Sequence, residues 1–208
     1  MPRPRSLTST DIAAAALQVI DRDGLAVLSM RTTAAELGVG AMSLYRYVKD
    51  REALERLVVD QVLATVDTKP TPHAPWDQEI TRLVERIRRA VGKHPSIVPL
   101  FMLHRHTSQS VKRCTEALLR VLTEGGFTGQ QRVIALRTLV SYLSGALQAQ
   151  HLGPLDGPST DAMAELPLDE YPLLAATAHV ARRIGPDAEF RGGLAIVLQG
   201  LAHMQGHD

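Results

Sequence analysis

The chain has 208 residues, of which 45% are hydrophobic and 22% are charged, and its formal net charge is +1. These are ordinary globular values, and the length suffices for one small and one larger domain. Because the net charge is near zero, only local placement of basic residues can argue for nucleic-acid binding. The single cysteine, Cys114, excludes an internal disulfide and a cysteine-based zinc site, and we interpret it as a core thiol. Since no apolar run approaches ~18 residues and no signal peptide is present, we expect a cytoplasmic protein without membrane contact.

Helical periodicity of the apolar residues runs through almost the whole chain, and no segment shows a convincing strand alternation. We therefore predict an all-α protein. The first helix is expected to begin at Thr8, because Thr8 and Asp11 have the spacing of a capping box. Gly24 is expected to end this helix.

The segment 28–51, LSMRTTAAELGVGAMSLYRYVKDR, has the pattern of a helix-turn-helix followed by the start of a third helix. Ser29 is an N-cap for the first helix, Gly38 permits a left-handed turn, and Asp50 caps the third helix. Ala34 allows a close helix crossing. The small apolar core that such a unit needs is predicted to comprise Leu37, Val39 and Leu44. In this motif the second helix lies in a DNA major groove.

The second helix has a surface that a core role does not explain, because Tyr45, Arg46 and Tyr47 cannot all be buried together. Two of the four tyrosines of the chain lie here. Tyrosine hydroxyls and lysines donate to phosphates, and arginine can read guanine edges. One of the two tyrosines can partly cover the small core of the motif. Such a role does not explain the neighbouring cations Arg31, Lys49 and Arg51.

Three prolines between residues 69 and 75 interrupt the helical pattern. We place a domain boundary here, with a DNA-binding domain over residues 1–67 and a larger helical domain over 68–208. At least five helices are expected beyond Trp76, and the segment 153–167 is expected to be a mobile loop.

Two helices of the larger domain, predicted over 130–151 and 188–205, are apolar on more than one face. Because exposed apolar stripes of that size are rare on monomers, we expect a homodimer with a four-helix interface, two helices from each subunit. Burial of both faces within one subunit is the alternative.

Together these residues resemble the tetracycline-repressor (TetR) family of transcriptional regulators. The N-terminal match runs from about Leu7 to Leu57 and includes LGV at 37–39 and LYRYV at 44–48. The C-terminal match is the aromatic-x-x-Gly-Leu run at 190–194 with the Gly-Leu pair at 200–201. The resemblance implies an all-helical homodimer with two DNA-binding heads and a pocket for a small ligand that releases the protein from its operator.

Residue by residue, the resemblance implies contacts to the groove or its phosphates from the head. Arg51 stands where the family usually has lysine, which allows a forked phosphate contact, and the apolar start of the second helix favours contact with thymine methyls. Arg3 and Arg5 are either a minor-groove arm or a solubilising tail. The predicted DNA-binding residues are Arg31, Thr32, Met42, Ser43, Tyr45, Arg46, Tyr47, Lys49 and Arg51.

The predicted ligand pocket combines polar residues on apolar helices with an apolar wall. For each polar residue, a satisfied core or interface group is the more common role, and a ligand contact is the functional alternative. The polar candidates are His104, Arg137, Ser141, Tyr142, Gln148 and His151. The apolar candidates are Phe101, Met102, Leu118 and Leu147.

Other chemistry finds little support. No Glu-x-x-His pair, GxGxxG, P-loop or Gly-x-Ser-x-Gly occurs, so we expect no metal, no cofactor and no enzymatic activity. We therefore predict a ligand-responsive regulator that acts as a dimer on a pseudo-palindromic operator, and repression is the favoured mode. Two alternatives stay open: a helical small-molecule-binding protein or enzyme with a vestigial DNA-binding head, and an effector-independent DNA-binding activator.

Overall fold

The computed structural model describes residues 7–205, and these residues form an all-helical fold. The prediction of an all-α protein is therefore confirmed. The described residues divide into two compact units, one over residues 7–74 and 78–121 and the other over residues 75–77 and 122–205. The α-helices are α1 (Ser9–Asp23), α2 (Met30–Glu36), α3 (Ala41–Leu44), α4 (Arg51–Ala64), α5 (Trp76–Gly92), α6 (Val98–Leu103), α7 (Gln109–Glu124), α8 (Gly129–Leu152), α9 (Pro158–Ala164), α10 (Pro172–Ala181) and α11 (Pro186–Gln205).

The predicted helix starts in the N-terminal part are confirmed, because each depends on a side chain close in sequence. Thr8 accepts from the backbone N–H of Asp11 and the Asp11 carboxylate accepts from Thr8, which completes a capping box at α1. Gly24 ends α1 with a φ of 87°. At α4, Asp50 accepts from the backbone N–H of Ala53 at 2.8 Å.

Two local predictions are wrong. The second helix of the helix-turn-helix was predicted to include Tyr45, Arg46 and Tyr47, but α3 ends at Leu44. The N–H groups of Tyr47 and Val48 both donate to the Leu44 carbonyl and close a tight turn there. The segment 153–167, expected to be a loop, contains α9. Pro158 stands in the first turn of this helix, where its missing N–H is tolerated, and Asp161 supplies the negative charge that favours a helix start.

The segment after α4 is irregular from residue 66 to residue 75, as its prolines predict. It is held on α5 by two arginines. Arg82 donates to the Lys69 carbonyl and forms an ion pair with Glu79, which holds the pKa of this largely buried carboxyl below its usual value. Arg86 forms a further ion pair with Asp67 at 2.8 Å.

In the second unit, α8 packs on α11 and α9 packs on α10. The contact between α8 and α11 is close at Tyr142, whose hydroxyl donates to the Phe190 carbonyl at 2.6 Å. The rings of Tyr142 and Phe190 lie 5.5 Å apart. Trp76 and Phe127 form a second aromatic pair, an edge-to-face contact at 5.0 Å.

Candidate DNA-binding surface

The turn between α2 and α3 is built by local hydrogen bonds. Ser29 caps α2 by accepting from the Thr32 N–H, and the Thr32 hydroxyl accepts in return from the Ser29 N–H at 2.9 Å. Gly38 has the left-handed conformation that the sequence predicts, with a φ of 67°. The next N–H, that of Val39, donates to the Ala34 carbonyl at 3.0 Å and closes the turn.

The core of the helix-turn-helix is smaller than predicted. Leu44 and Ala34 are buried, and Leu37 is half-buried. Val39, which the sequence assigned to the core, is 36% exposed, because it follows the left-handed turn at the edge of the motif. Val48 is buried instead, as the pattern behind Leu44 indicates.

The surface over residues 42–49 is amphipathic and exposed, and we call it the head surface. Met42 is 79% exposed, and Tyr45 and Tyr47 are 50% and 45% exposed. Arg46 and Lys49 are exposed on the same stretch, and Arg31 is exposed on α2. Within residues 7–205, none of these three cations forms an ion pair. They are available to phosphates or base edges.

The remaining predicted DNA-binding residues are partly engaged within the protein. Thr32 is half-buried, and its hydroxyl is used in the α2 capping box and in a bond to the Val27 carbonyl. Ser43 is half-buried. Arg51 is bonded to Glu55 and to the Leu25 carbonyl. The Ser-x-x-Thr spacing at the start of α2 could have predicted that Thr32 takes part in the capping box.

Two polar contacts that the sequence did not predict join α4 to residues 104–110 of the first unit. The Asp60 carboxylate on α4 accepts from the Ser108 hydroxyl at 2.6 Å and from the Ser110 N–H at 2.8 Å at the start of α7. Glu55 is 7% exposed and lies 3.1 Å from the ring of His104. In the sequence, the position of Glu55 next to Leu54 on the apolar side of α4 was the one sign that this carboxylate is buried.

The predicted ligand residues are distributed over both compact units. In the first unit His104 and Leu118 are buried, and Phe101 and Met102 are half-buried. In the second unit Leu147 is buried and Tyr142 is half-buried with its hydroxyl bonded to Phe190, as described above. The polar candidates that are exposed are Arg137, Ser141, Gln148 and His151. The ligand-binding role of these residues stays a prediction.

An open hollow of about 360 Å³ lies in the second unit, at the start of α8 and the end of α11. None of the predicted ligand residues lines it. Its lining residues are Thr128, Gly129, Gln130, Gln131, Ile134 and Met204.

Two negative findings concern the described residues only. Over residues 7–205, no helix has the length and apolar character needed to cross a membrane. In the same range no three His, Cys, Asp or Glu side chains are grouped so that they could hold a metal ion. Arg3 and Arg5, predicted as a minor-groove arm or a solubilising tail, lie outside the described residues.

A capped helix, a left-handed glycine turn and a short second helix with exposed tyrosines and cations define a helix-turn-helix protein. Comparison with known proteins identifies the family. The model of the tetracyclin repressor-like C-terminal domain matches residues 69–205. The chain therefore belongs to the tetracycline-repressor family of transcriptional regulators.

Relatives and a solved structure agree over nearly full length. The chain is 29% identical to the transcriptional repressor DrrR1 of Streptomyces coeruleorubidus, covering 96% of this chain and 78% of that protein. It is also 29% identical to the class A tetracycline repressor of transposon 1721 from Escherichia coli, covering 94% and 91%. The crystal structure of Streptomyces coelicolor ActR in complex with actinorhodin superposes with a TM-score of 0.81 at 25% identity, covering 98% and 99%.

Proposed function

We propose that this regulator is a ligand-responsive repressor, which binds a pseudo-palindromic operator as a homodimer and is released by a small-molecule effector. The observation that carries the proposal is the head surface. It exposes two tyrosines and Met42 beside Arg46 and Lys49, and these two cations have no ion-pair partner in the described part of the chain. Residues of this kind on a helix-turn-helix are suited to phosphate contact and to reading of guanine and thymine edges.

Dimerisation is supported by apolar residues that the second unit exposes. Val133 on α8 is 60% exposed, Leu173 on α10 is 82% exposed and Ile196 on α11 is 72% exposed. Such residues are consistent with an interface between two copies. We propose that α8 and α11 contribute two helices from each subunit, as the two-faced apolar pattern predicts.

The names of two relatives and of one solved structure support release of this protein by a small-molecule effector. Two relatives are named as repressors, one of them the class A tetracycline repressor, and ActR was solved with actinorhodin. An effector releases the dimer when it binds more tightly to a form whose two heads do not fit the operator. We propose no catalytic role and a cytoplasmic location, since the relatives are regulators and operator DNA lies in the cytoplasm.

We also retain a functional boundary near residue 67. The match to the C-terminal family model begins at residue 69, which supports a DNA-binding part over residues 1–67 and an effector-binding and dimerisation part over 68–208. The boundary between the compact units differs from this one, since most of α5, all of α6 and most of α7 are grouped with the head.

The test begins with selection of 30-bp duplexes from a random library by the wild-type protein. We expect the double substitution Tyr45→Ala with Arg46→Ala to weaken binding of the enriched duplex by about 30-fold or more, since a bidentate base contact of about 1–3 kcal/mol is lost from each of the two heads. Arg120→Ala is the matched control, because Arg120 is exposed on α7 outside the head. Full affinity of the double variant in a mobility-shift assay would refute the assignment of the head surface.

The effector is tested by thermal shift with tetracycline and actinorhodin as the first probes, followed by a metabolite library. A ligand that binds the native state raises the melting temperature, and a true effector also lowers the affinity for the enriched duplex.

A further inference from the structure

A chain of three polar side chains runs from the head into the interior of the first compact unit. Arg51, the first residue of α4, donates through Nε to Oε1 of Glu55 at 2.8 Å. The other carboxylate oxygen, Oε2, lies 3.1 Å from Nε2 of His104. The three side chains are 49%, 10% and 1% exposed in that order. The chain therefore begins at the surface and ends in the core.

The carboxylate of Glu55 needs both of its partners. A buried carboxylate is expensive to desolvate unless its oxygens receive donors, and removal of one donor leaves an oxygen unsatisfied. His104 is the donor on the buried side, because its Nε2 faces the carboxylate while its other ring nitrogen lies 3.5 Å from the Thr107 hydroxyl. Its place is set by the backbone, since His104 directly follows α6 and its N–H donates to the Leu100 carbonyl.

Two acceptors in turn orient the guanidinium of Arg51. Glu55 accepts from Nε, and the Leu25 carbonyl accepts from Nη2 at 3.3 Å. Nη1 forms no hydrogen bond to any residue in the range 7–205. A guanidinium held in this way offers its remaining N–H groups in one direction, and a free arginine would lose rotamer entropy to reach the same position.

We propose that His104 is a positioning residue for DNA binding: it holds Glu55, and Glu55 aims the Arg51 guanidinium at a backbone phosphate of the operator. The proposal rests on the DNA-binding function proposed above and adds a buried residue to it. His104 itself does not touch DNA. Its effect passes through Arg51, so it is absent when Arg51 is absent.

The experiment compares three residues at position 104, in two backgrounds at position 51, for binding to the enriched 30-bp duplex and to an unrelated 30-bp duplex. His104→Leu removes the donor, and His104→Gln keeps an N–H donor without an imidazole. Each is made with Arg51 present and with Arg51→Ala. Glu55 is left unchanged, because a neutral residue there would alter DNA binding through charge alone. The melting temperature of each variant verifies that it is folded.

We expect Arg51→Ala and His104→Leu each to weaken binding to both duplexes by about tenfold, which corresponds to the entropy and contact of one ordered arginine in each head of the dimer. The slope of log affinity against log salt should fall by about 1.8 in both variants, since one phosphate contact is lost from each of the two heads. In the Arg51→Ala background, His104→Leu should have no further effect. His104→Gln should restore most of the affinity and the salt slope.

The proposal is overturned if His104→Leu keeps the wild-type salt slope, or if it weakens binding equally with and without Arg51. If His104→Leu does not fold, the salt dependence of His104→Gln decides. A smaller salt slope in His104→Gln, despite the retained N–H donor, would contradict the proposal that His104 acts through Glu55 and Arg51. A failure of the proposed function has a different signature, namely a wild-type protein that enriches no duplex at all.

Discussion

The close approach of α11 to α8 at Gly193 makes a testable prediction about the second unit. A Cβ at this position would lie 2.5 Å from the Tyr142 hydroxyl oxygen and 2.9 Å from Cε2 of the ring. At Gly192, one residue earlier on the same helix, a Cβ would meet no atom of the described part of the chain within 4 Å. The substitutions Gly192→Ala and Gly193→Ala therefore raise helix propensity equally, but only Gly193→Ala brings a methyl group against Tyr142.

The expected magnitudes follow from these contacts. Replacement of a helical glycine by alanine stabilises by up to about 1 kcal/mol, which is the whole effect expected at Gly192. At Gly193 the ring of Tyr142 must move by about 1 Å to restore ordinary van der Waals contact. This movement breaks the hydrogen bond from the Tyr142 hydroxyl to the Phe190 carbonyl, which contributes about 1 kcal/mol. The added methyl group also overpacks the contact, at a cost of about 1–3 kcal/mol. The net effect of Gly193→Ala is a loss of about 1–3 kcal/mol.

Urea unfolding followed by circular dichroism measures both variants. Tyr142→Phe removes the closest atom, so we expect the double variant Tyr142→Phe with Gly193→Ala to be more stable than the sum of the single effects predicts. If Gly193→Ala stabilises as much as Gly192→Ala, the packing of α8 on α11 described above is wrong.

Two further predictions concern groups buried in the first unit. The Thr33 hydroxyl is buried and has no hydrogen-bond partner among residues 7–205, so Thr33→Val should stabilise the protein by about 1 kcal/mol. Thr32→Val breaks the α2 capping box and should destabilise by about 1 kcal/mol in the same thermal denaturation. Equal effects of the two substitutions would contradict both assignments. Burial raises the pKa of the Cys114 thiol to about 11, so iodoacetamide at pH 8 should leave the native thiol unmodified and react only after unfolding in guanidinium. Because this pKa is raised in the folded state, the contribution of the buried thiol to stability is present below about pH 9 and is lost as the pH rises towards 11; rapid native-state alkylation would show that the thiol is accessible.

The parts of the fold that the sequence predicted are those decided by neighbouring residues. The caps at Thr8, Ser29 and Asp50 and the left-handed turn at Gly38 each depend on side chains within a few positions. The exposure of the head surface was predictable in the same way, because two tyrosines and an arginine in succession cannot share one small core. Local chemistry therefore carried the prediction of the DNA-binding motif.

The parts that were missed depend on distant partners or on competing local bonds. Glu55 and His104 are 49 positions apart, and no spacing rule pairs them. Asp60 binds Ser108 across 48 positions. The early end of α3 depends on which N–H groups the Leu44 carbonyl accepts, a choice that apolar periodicity does not encode.

Hydrogen–deuterium exchange of the full chain, with and without the enriched duplex, tests whether the head surface binds duplex DNA. We expect bound DNA to slow backbone exchange over residues 29–51, and we expect Arg46→Ala with Tyr45→Ala to abolish this protection at the same protein and DNA concentrations. Protection confined to residues 129–205, with the head exchanging as in the free protein, would contradict it.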